Sequence, residues 1–281
     1  MRLALGTVQF GLDYGISNRA GEVPDDELDA ILALARKLGV DTLDTAQAYG
    51  RAETRLGRRH TADFQLVSKL TPGIQATEVV TSVAGSLQRL ARPRLDGLLL
   101  HRSQDASPAL FEQLAELQRQ GVVGKVGVSV YAPEELTRWL KQGYPLELVQ
   151  LPANLLDQRF LRSGWLDRLQ TLGCEIHVRS LFLQGLLLMQ PALRPAYFDA
   201  FSEPLSRLDG WRPHLSALHK ALALIPALPQ VSRFVVGVCH AHELAAIASA
   251  CAYLQPSQSD ELGTLACDEP ALINPALWRT S

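Results

Sequence analysis

The sequence predicts a parallel (β/α)8 barrel of the TIM type, with long loops after the seventh strand and at the carboxyl end. Eight short apolar runs alternate with amphipathic helical segments along most of the 281 residues. An open, doubly wound sheet would typically carry a Gly-x-Gly-x-x-Gly turn after an early strand, and this chain has none. No linker that would separate domains is visible, so we expect residues 1–281 to form a single barrel domain.

The predicted strands are continuous apolar runs rather than alternating ones. Such runs are typical of parallel strands that are covered on both faces. In chain order, we expect strands at Leu3–Gly6, Val40–Thr45, Gln65–Lys69, Gly97–His101, Val126–Val130, Leu148–Leu151, Glu175–Arg179 and Phe234–Val238. In a barrel, the carboxyl ends of all eight strands meet at one rim, which carries the functional residues.

The helical segments between the strands have recognisable ends. Pro24 precedes an acidic first turn, which complements the helix dipole. Ser107 and Pro108 are typical of an N-cap and a first helical position, and Gly121 stops that helix. A further helix opens at Thr77. The predicted apolar faces of the first and the Thr77 helix are Leu28, Ile31, Leu32 and Ala35, and Val80, Val83, Leu87 and Leu90.

Two stretches exceed the strand–helix repeat. Residues 181–212 form a long connection after the seventh strand, and residues 254–281 form a tail that contains proline and serine. Because long insertions at the carboxyl ends of barrel strands usually line the functional site, we expect these stretches to shape a pocket.

Composition narrows the class of protein. A net charge of −2 gives no reason to expect nucleic acid or a membrane surface as a partner. Four scattered cysteines without C-x-x-C spacing are typical of reduced thiols in a cytoplasmic protein. The amino terminus enters an apolar strand without a signal region, and the Leu181–Met189 stretch is too short to span a bilayer. We expect no metal, since His240 and His242 diverge at a helix start.

Four polar residues stand at the ends of consecutive predicted strands. Asp44 lies at the end of the second strand, and Tyr49 follows just beyond it. Lys69 closes the third strand and His101 closes the fourth. Singly, these residues have ordinary interpretations as a turn residue, a packing residue, a solvated cation and a buried histidine. Together on one side of the rim, they indicate a catalytic group.

Such a group can turn a phenol into a proton donor. An isolated tyrosine, with a pKa near ~10, is a poor acid at neutral pH. We expect Lys69 to lie within hydrogen-bond reach of Tyr49 and to lower its pKa, while Asp44 keeps Lys69 charged and oriented. His101 would hydrogen-bond a carbonyl oxygen of the substrate and orient it toward Tyr49.

With this set, the chain resembles the aldo-keto reductase superfamily over nearly its whole length. The resemblance runs through Gly6-Thr7, Asp44-Thr45-Ala46, Tyr49-Gly50, Glu53, Leu56-Gly57, Lys69, His101, Gly127-Val128-Ser129, Gln150, Arg179-Ser180 and Gly237-Val238. It implies a nicotinamide cofactor that lies extended across the strand ends. It also implies hydride transfer to a carbonyl carbon, with Tyr49 protonating the oxygen.

The resemblance further implies which residues contact the cofactor. Ser129 and Gln150 would hold the nicotinamide carboxamide, and Asp44 would lie near the ribose. The backbone from Ser180 to Gly185 would wrap the pyrophosphate. The turn 238–240 would meet the adenosine end at a helix start with free N–H groups. The implied contacts are Gly6, Thr7, Asp44, Ser129, Gln150, Arg179, Ser180, Leu181, Leu183, Gly185, Gly237, Val238, His240 and Glu243.

Three positions depart from the family pattern. Val130 stands where many members carry Asn. Arg179 stands where many stack an aromatic ring on the nicotinamide, and a cation there disfavours the oxidised, positive ring. Glu243 aligns with an arginine of NADPH-selective members, whereas a carboxylate suits the free 2′-hydroxyl of NADH. The sequence thus leaves NADPH and NADH open, with a slight preference for NADPH.

The sequence therefore predicts an NAD(P)H-dependent oxidoreductase that reduces a small-molecule aldehyde or ketone to an alcohol. Two alternatives stay open: a nicotinamide-binding regulatory or partner subunit with low turnover, and a lyase or epimerase that reuses its bound cofactor. The identity of the carbonyl compound, the physiological direction of the reaction and the oligomeric state also stay open.

Overall fold

Eight parallel strands close into a barrel in chain order. The computed structural model describes residues 2–254 and 259–279. The strands are β1 Leu3–Gly6, β2 Thr42–Asp44, β3 Gln65–Leu70, β4 Leu95–Leu100, β5 Val123–Ser129, β6 Leu148–Pro152, β7 Glu175–Arg179 and β8 Arg233–Gly237. The barrel closes where Gly6 of β1 pairs with Gly237 of β8. The prediction of a (β/α)8 barrel is confirmed.

Helices alternate with these strands around the barrel. The α-helices of the described residues are α1 Asp25–Lys37, α2 Ala52–Gly57, α3 Val79–Leu90, α4 Pro108–Arg119, α5 Pro133–Lys141, α6 Arg159–Arg162, α7 Trp165–Thr171, α8 Ser202–Gly210, α9 Ala217–Leu222, α10 Ala241–Ala252, α11 Ser259–Gly263 and α12 Pro270–Ile273. Short 3-10 helices lie at Val8–Phe10, Ala76–Glu78, Ser103–Asp105, Leu183–Leu188, Pro191–Leu193, Ala196–Phe201, Ile225–Ala227 and Pro275–Leu277. Within the described ranges, none of the helices has the length and apolarity that crossing a membrane requires.

The observed strand ends differ from the predicted ones by up to three residues. β2 is shorter than the predicted Val40–Thr45, and β5 begins at Val123 rather than Val126. β4 ends at Leu100, so His101 lies one residue beyond its strand. Backbone pairing decides where a strand ends, and the apolar pattern follows burial, which continues past the paired residues.

One of the two predicted helix faces and the predicted Ser107 cap match the structure. The buried face of α1 consists of the four predicted residues, and the Ser107 hydroxyl accepts a hydrogen bond from the Leu110 N–H at the start of α4. The prediction for α3 was wrong at Val80, which is 44% exposed, because Val79 takes the inward position. Faces that differ by one residue satisfy nearly the same helical spacing, and only packing distinguishes them.

Side chains that point into the barrel form the layer beneath the candidate site. Val67, Leu99 and Leu148 form a small buried cluster, separate from the larger core between the strands and the helices. Because side chains two residues apart along a strand share a face, Lys69 and Gln150 lie above this cluster toward the carboxyl rim. The barrel interior thus supplies an apolar floor beneath polar groups.

A close approach of two strands sets the register at this rim. Gly127 of β5 pairs with Leu148 of β6, and a Cβ at Gly127 would overlap the Leu148 carbonyl oxygen. Glycine therefore allows the two backbones to approach. As a result, Ser129 lies level with Gln150 at neighbouring strand ends.

The carboxyl-terminal residues fold back onto the barrel. The Gln158 amide donates to the Leu262 carbonyl at 2.8 Å, and the Cys267 N–H donates to the Leu156 carbonyl at 2.8 Å. Of the tail predicted at 254–281, residues 255–258 and 280–281 lie outside the described residues. The described part of the tail carries short helices rather than a loop alone.

Candidate active site

A buried ion pair lies at the centre of the rim. Lys69 Nζ donates to Asp44 Oδ1 at 2.7 Å and to the Thr45 carbonyl at 3.0 Å. The side chains of Lys69 and Asp44 are only 1% and 4% exposed. Gln150 Nε2 donates to the second carboxylate oxygen of Asp44 at 2.7 Å. Strands β2, β3 and β6 are therefore joined through one carboxylate whose two oxygens both have donors.

Tyr49 is held beside this pair by a tight contact between loops. Gly50 has φ +53°, and a Cβ there would overlap the Gly11 carbonyl oxygen. The Tyr49 ring centre lies 5.1 Å from Lys69 Nζ. His101 meets the same ring edge-on, with centroids 6.0 Å apart. The structure thus brings together all four residues that the sequence proposed as catalytic.

The predicted effect of Lys69 on Tyr49 is contradicted. Burial of the phenol and the charge of Asp44 raise the pKa of Tyr49 above its ordinary value of 10.0, and Arg179 only partly opposes this shift. Two of the three N–H groups of Lys69 Nζ donate to the Asp44 carboxylate and the Thr45 carbonyl. An ammonium neutralised by its own carboxylate does little to stabilise a phenolate, and desolvation then dominates. Burial also lowers the pKa of Lys69, against the opposing charge of Asp44.

His101 is a neutral imidazole in this setting. Burial, and next the charges of Lys69 and Arg179, lower the pKa of His101 to about 4. Its Nδ1 atom is buried and has no hydrogen-bond partner among the described residues. A buried nitrogen acceptor that lacks a donor costs less free energy than a buried N–H that lacks an acceptor. We therefore place the ring proton on Nε2.

The strand ends opposite Tyr49 offer groups that match an amide. Ser129 and Gln150 are buried and lie side by side in register. Within the described chain, the Ser129 hydroxyl and Gln150 Oε1 have no protein partner, while Gln150 Nε2 is used by Asp44. Hydroxyl and amide oxygen together fit the NH2 and carbonyl groups of a nicotinamide carboxamide.

Gly6 and Thr7 lie in the barrel wall. Thr7 is fully buried, and its hydroxyl and its N–H both donate to the Asp44 carbonyl at 3.0 Å. Gly6 pairs with Asp44 on one side and with Gly237 on the other. These residues position Asp44 from below, and their own cofactor contacts stay a prediction.

The loop after β7 is a strained segment. Ser180, Leu183 and Gln184 all have positive φ values, of 62°, 48° and 53°. Gly185 has φ +92°, and a Cβ there would overlap the Ser17 side chain. Non-glycine residues in this region cost energy and cluster at ligand sites. The side chains of Leu181 and Leu183 are buried, so they offer only backbone groups to a ligand.

The start of α10 contradicts the prediction of free N–H groups. The N–H groups of Cys239 and His240 donate to Glu243 Oε2 at 2.7 and 3.1 Å. The Ala241 N–H donates to Glu27 Oε1 at 2.6 Å. The N3 glutamate closes a capping box, and a second glutamate from α1 completes the cap. Two carboxylates thus occupy the position expected for an anion. Nearby, Val238 is buried, and Gly237 leaves room for the Gln9 amide.

Arg179 and Tyr131 form a pair that the sequence reasoning did not identify. The Arg179 guanidinium lies over the Tyr131 ring at 4.1 Å from its centroid. Its N–H groups also donate to the Val130 carbonyl and the Ser180 hydroxyl, both at 3.1 Å. The signal in the sequence that could have identified this pair was Tyr131, an aromatic residue directly after the predicted strand Val126–Val130. The sequence leaves open whether Phe10 and Tyr14, after the first strand, form substrate-pocket wall or loop packing. Phe10 is fully buried in the core. Tyr14 lies near Tyr49, because the Tyr49 phenol comes next after burial among the causes that raise the pKa of Tyr14.

A model of the aldo/keto reductase family matches residues 2–264. The chain belongs to this family. It is 30% identical over 206 residues to an aldo-keto reductase of Mycolicibacterium smegmatis, covering 69% of this chain and 73% of that one. It is 25% identical over 246 residues to the uncharacterized oxidoreductase YqkF of Bacillus subtilis, covering 76% and 79%. As a member of this family, it is an oxidoreductase of the kind that uses nicotinamide cofactors.

The fold likeness extends to solved structures. The holo form of aldo-keto reductase AKR11C1 from Bacillus halodurans superposes with a TM-score of 0.75, over 95% of this chain and 92% of that one. At 20% sequence identity, this likeness shows the fold alone.

Neutral His101 makes stability depend on pH. Its pKa is about 4 in the folded chain and 6.5 ordinarily, so the unfolded state binds more protons between these values. The stability contributed by neutral His101 is complete above about pH 6.5 and is lost as the pH falls toward 4.

Between pH 7 and pH 5, we expect wild type to lose about 2 kcal/mol more unfolding free energy than His101→Gln in urea titrations. His214→Gln, at an exposed site, is the control. Equal losses for wild type and His101→Gln would contradict the buried neutral ring.

Proposed function

We propose that this protein reduces the carbonyl group of an aldehyde or ketone to an alcohol with NADH or NADPH as the reductant. The observation that carries the proposal is the buried Asp44–Lys69 ion pair, with the Tyr49 phenol and a neutral His101 beside it at the carboxyl rim. A proton donor, a hydrogen-bond donor and a fixed positive charge then surround one point, as reduction of a carbonyl requires.

The chain has groups that fit the nicotinamide end of the cofactor. Ser129 and Gln150 would hold the carboxamide through the hydroxyl and amide oxygen that lack protein partners in the described residues. Bound there, a reduced nicotinamide supplies the hydride. Asp44 and Lys69 are themselves shielded from water, which strengthens their electrostatic interactions with the groups beside them.

The Tyr49 hydroxyl stays protonated until the carbonyl oxygen of the substrate gains negative charge. Because burial keeps the pKa of Tyr49 above 10, the hydroxyl stays protonated across the physiological range. When the carbonyl carbon gains a hydride, its oxygen gains negative charge and takes the proton from the Tyr49 hydroxyl, so that a new C–H and a new O–H bond form. Lys69 and Arg179 then lie near the phenolate that remains.

His101 orients the carbonyl oxygen. With its proton on Nε2, the neutral ring has one N–H to donate, while the buried Nδ1 faces protein. Its edge contact with Tyr49 directs donor and acid toward the same oxygen. A neutral donor leaves Tyr49 as the source of the proton.

Replacement of the phenol tests the assignment of the acid. We expect Tyr49→Phe to reduce kcat on a panel of aldehydes and ketones by about 10²–10⁴-fold, since it removes the proton donor alone. Binding of NADH and NADPH, followed by quenching of tryptophan fluorescence, should stay within about twofold of wild type. Tyr14→Phe removes a neighbouring phenol outside the Lys69 contact and is the matched control.

Two outcomes would count against this function. Tyr49→Phe that turns over at the wild-type rate would show that another group supplies the proton. Wild type that binds the cofactor but reduces no compound of the panel would favour a nicotinamide-binding regulatory or partner subunit.

We also propose that NADH binds more tightly than NADPH, against the slight preference that the family resemblance gave. The resemblance places the adenosine end at the turn before α10, where Glu243 and Glu27 accept the N–H groups. Two carboxylates repel a 2′-phosphate and can accept from a 2′-hydroxyl. Unlike at an open helix start, the N–H groups of Cys239, His240 and Ala241 already have carboxylate acceptors here.

Cofactor titrations test this preference. We expect the Kd for NADH to be at least about tenfold lower than for NADPH, a difference of about 1.4 kcal/mol. Glu243→Gln and Glu27→Gln keep a hydrogen-bond acceptor for the helix cap but remove its negative charge. Each substitution should therefore bring the Kd values for NADPH and NADH closer together. Glu203→Gln, on a 75% exposed side chain, is the control. Equal or tighter binding of NADPH by wild type would refute the proposal.

A further inference from the structure

We propose that Arg179 binds an anionic group of the substrate, so that the preferred substrates are small aldehydes or ketones that carry a carboxylate or a phosphate. This inference rests on the proposed carbonyl reduction and goes beyond it, because it names a substrate class. The observation behind it is a guanidinium fixed at the catalytic rim without a carboxylate partner in the described residues.

The guanidinium of Arg179 is held in place by neutral groups only. One face lies on the Tyr131 ring, and two N–H groups donate to the Val130 carbonyl and the Ser180 hydroxyl. Ser180 presents its hydroxyl from a backbone with φ +62°, which is costly for a residue other than glycine. The chain therefore positions this cation at some expense while leaving its charge unneutralised.

Other half-buried arginines of the chain show what is unusual here. Arg55, Arg102 and Arg194 each bind a carboxylate at 2.6–2.9 Å. Arg2 donates to three backbone carbonyls. A guanidinium has five N–H groups, and Arg179 uses two, so three have no acceptor in the described part of the chain. A planar fork with unused donors is the preferred partner of carboxylate and phosphate oxygens.

The charge of Arg179 acts at the reacting end of the site. It lowers the pKa of Tyr49, His101 and Lys69, although burial has the largest effect on each, so the guanidinium lies near all three. The other positive charges at this rim are compensated, since Lys69 binds Asp44 and Arg102 binds Asp105. Arg179 therefore places a positive charge without a carboxylate partner in the described residues beside Tyr49, Lys69 and His101.

A second source of the same anionic chemistry is a phosphate of the cofactor. The proposed carboxamide contacts place the nicotinamide at Ser129 and Gln150, and the family resemblance places Arg179 beside the nicotinamide ring. Stacking on that ring would use a face of the guanidinium, so the unused N–H groups in its plane stay available to a substrate anion. An anionic substrate would be held at two points, with its carbonyl at Tyr49 and His101 and its charged group on Arg179. Two-point binding fixes the angle of the carbonyl better than the carbonyl contacts alone.

A pair of compounds of equal shape tests the inference. We would measure kcat/KM of the NADH-loaded protein for 4-carboxybenzaldehyde and its neutral analogue, 4-carbamoylbenzaldehyde. In wild type, we expect the ratio of carboxylate to amide to be about tenfold or more. Arg179→Gln should bring the ratio near one, and Arg179→Lys should give an intermediate ratio, because a point charge lacks the planar fork.

The matched control is Arg102→Gln, which removes a cation of the same rim that already has a carboxylate partner. It should keep the wild-type ratio. A wild-type ratio near one, or a ratio that Arg179→Gln leaves unchanged, would overturn the inference. So would an Arg179→Gln defect that is equal for both aldehydes and is matched by weaker NADH binding, since that result assigns the guanidinium to a cofactor phosphate.

Failure of the inference can be separated from failure of the proposed function. Should neither aldehyde be reduced, the corresponding alcohols, 4-(hydroxymethyl)benzoate and 4-(hydroxymethyl)benzamide, can be titrated into the protein–NADH complex by calorimetry. Tighter binding of the benzoate in wild type, and equal binding in Arg179→Gln, would support the anion site even without turnover. If Arg179→Gln does not fold, wild type and Arg179→Lys decide the outcome.

Discussion

The buried ion pair of Asp44 and Lys69 is the interaction on which the rest of this site depends. Removing one partner of such a pair leaves an uncompensated buried charge, which costs about 3–5 kcal/mol. Here both partners are present, Gln150 donates to the second oxygen of the carboxylate, and the Thr45 carbonyl accepts a second N–H of Lys69. It joins three strands that are distant in sequence and fixes the polar groups above the apolar barrel floor.

The pair also decides what Tyr49 can do. Burial of the phenol, and after it the charge of Asp44, raise the pKa of Tyr49, so the phenol stays protonated. In the proposed reduction, Tyr49 gives up its proton only when the carbonyl oxygen gains negative charge. Arg179 has no carboxylate partner in the described part of the chain, and in our proposal it binds the charged group of the substrate. The two cations would then have separate roles, since Lys69 holds the site together and Arg179 binds an anion.

Much of this was predictable from the sequence because it is local. Strand ends deliver side chains to one rim, so Asp44, Lys69 and His101 were placed together by their positions alone. Gln150 was identified through the family resemblance, but the hydrogen bond from its side-chain amide to Asp44 was not. The direction of the Tyr49 pKa was wrong because it depends on which oxygen and nitrogen atoms are paired, and spacing does not give that.

Contacts between distant residues account for the rest. Glu27 reaches the start of α10 across 214 residues, and Arg179 reaches the Val130 carbonyl across 49. Neither partner carries a local signal, since a glutamate in a first helical turn and an arginine at a strand end have ordinary interpretations. The positive φ values of Leu183 and Gln184 likewise occur at residues that ordinarily avoid them.

Burial beside the Asp44–Lys69 pair keeps the Tyr49 phenol protonated. The most direct test is the ring-carbon NMR signal of Tyr49 in protein with ¹³C-labelled tyrosine, assigned by its absence in Tyr49→Phe and followed from pH 7 to pH 10. The account predicts a signal that stays at the phenol position throughout, since the pKa lies above 10. A phenolate signal that grows between pH 7 and pH 9 would show that Lys69 does act on Tyr49, and would contradict it.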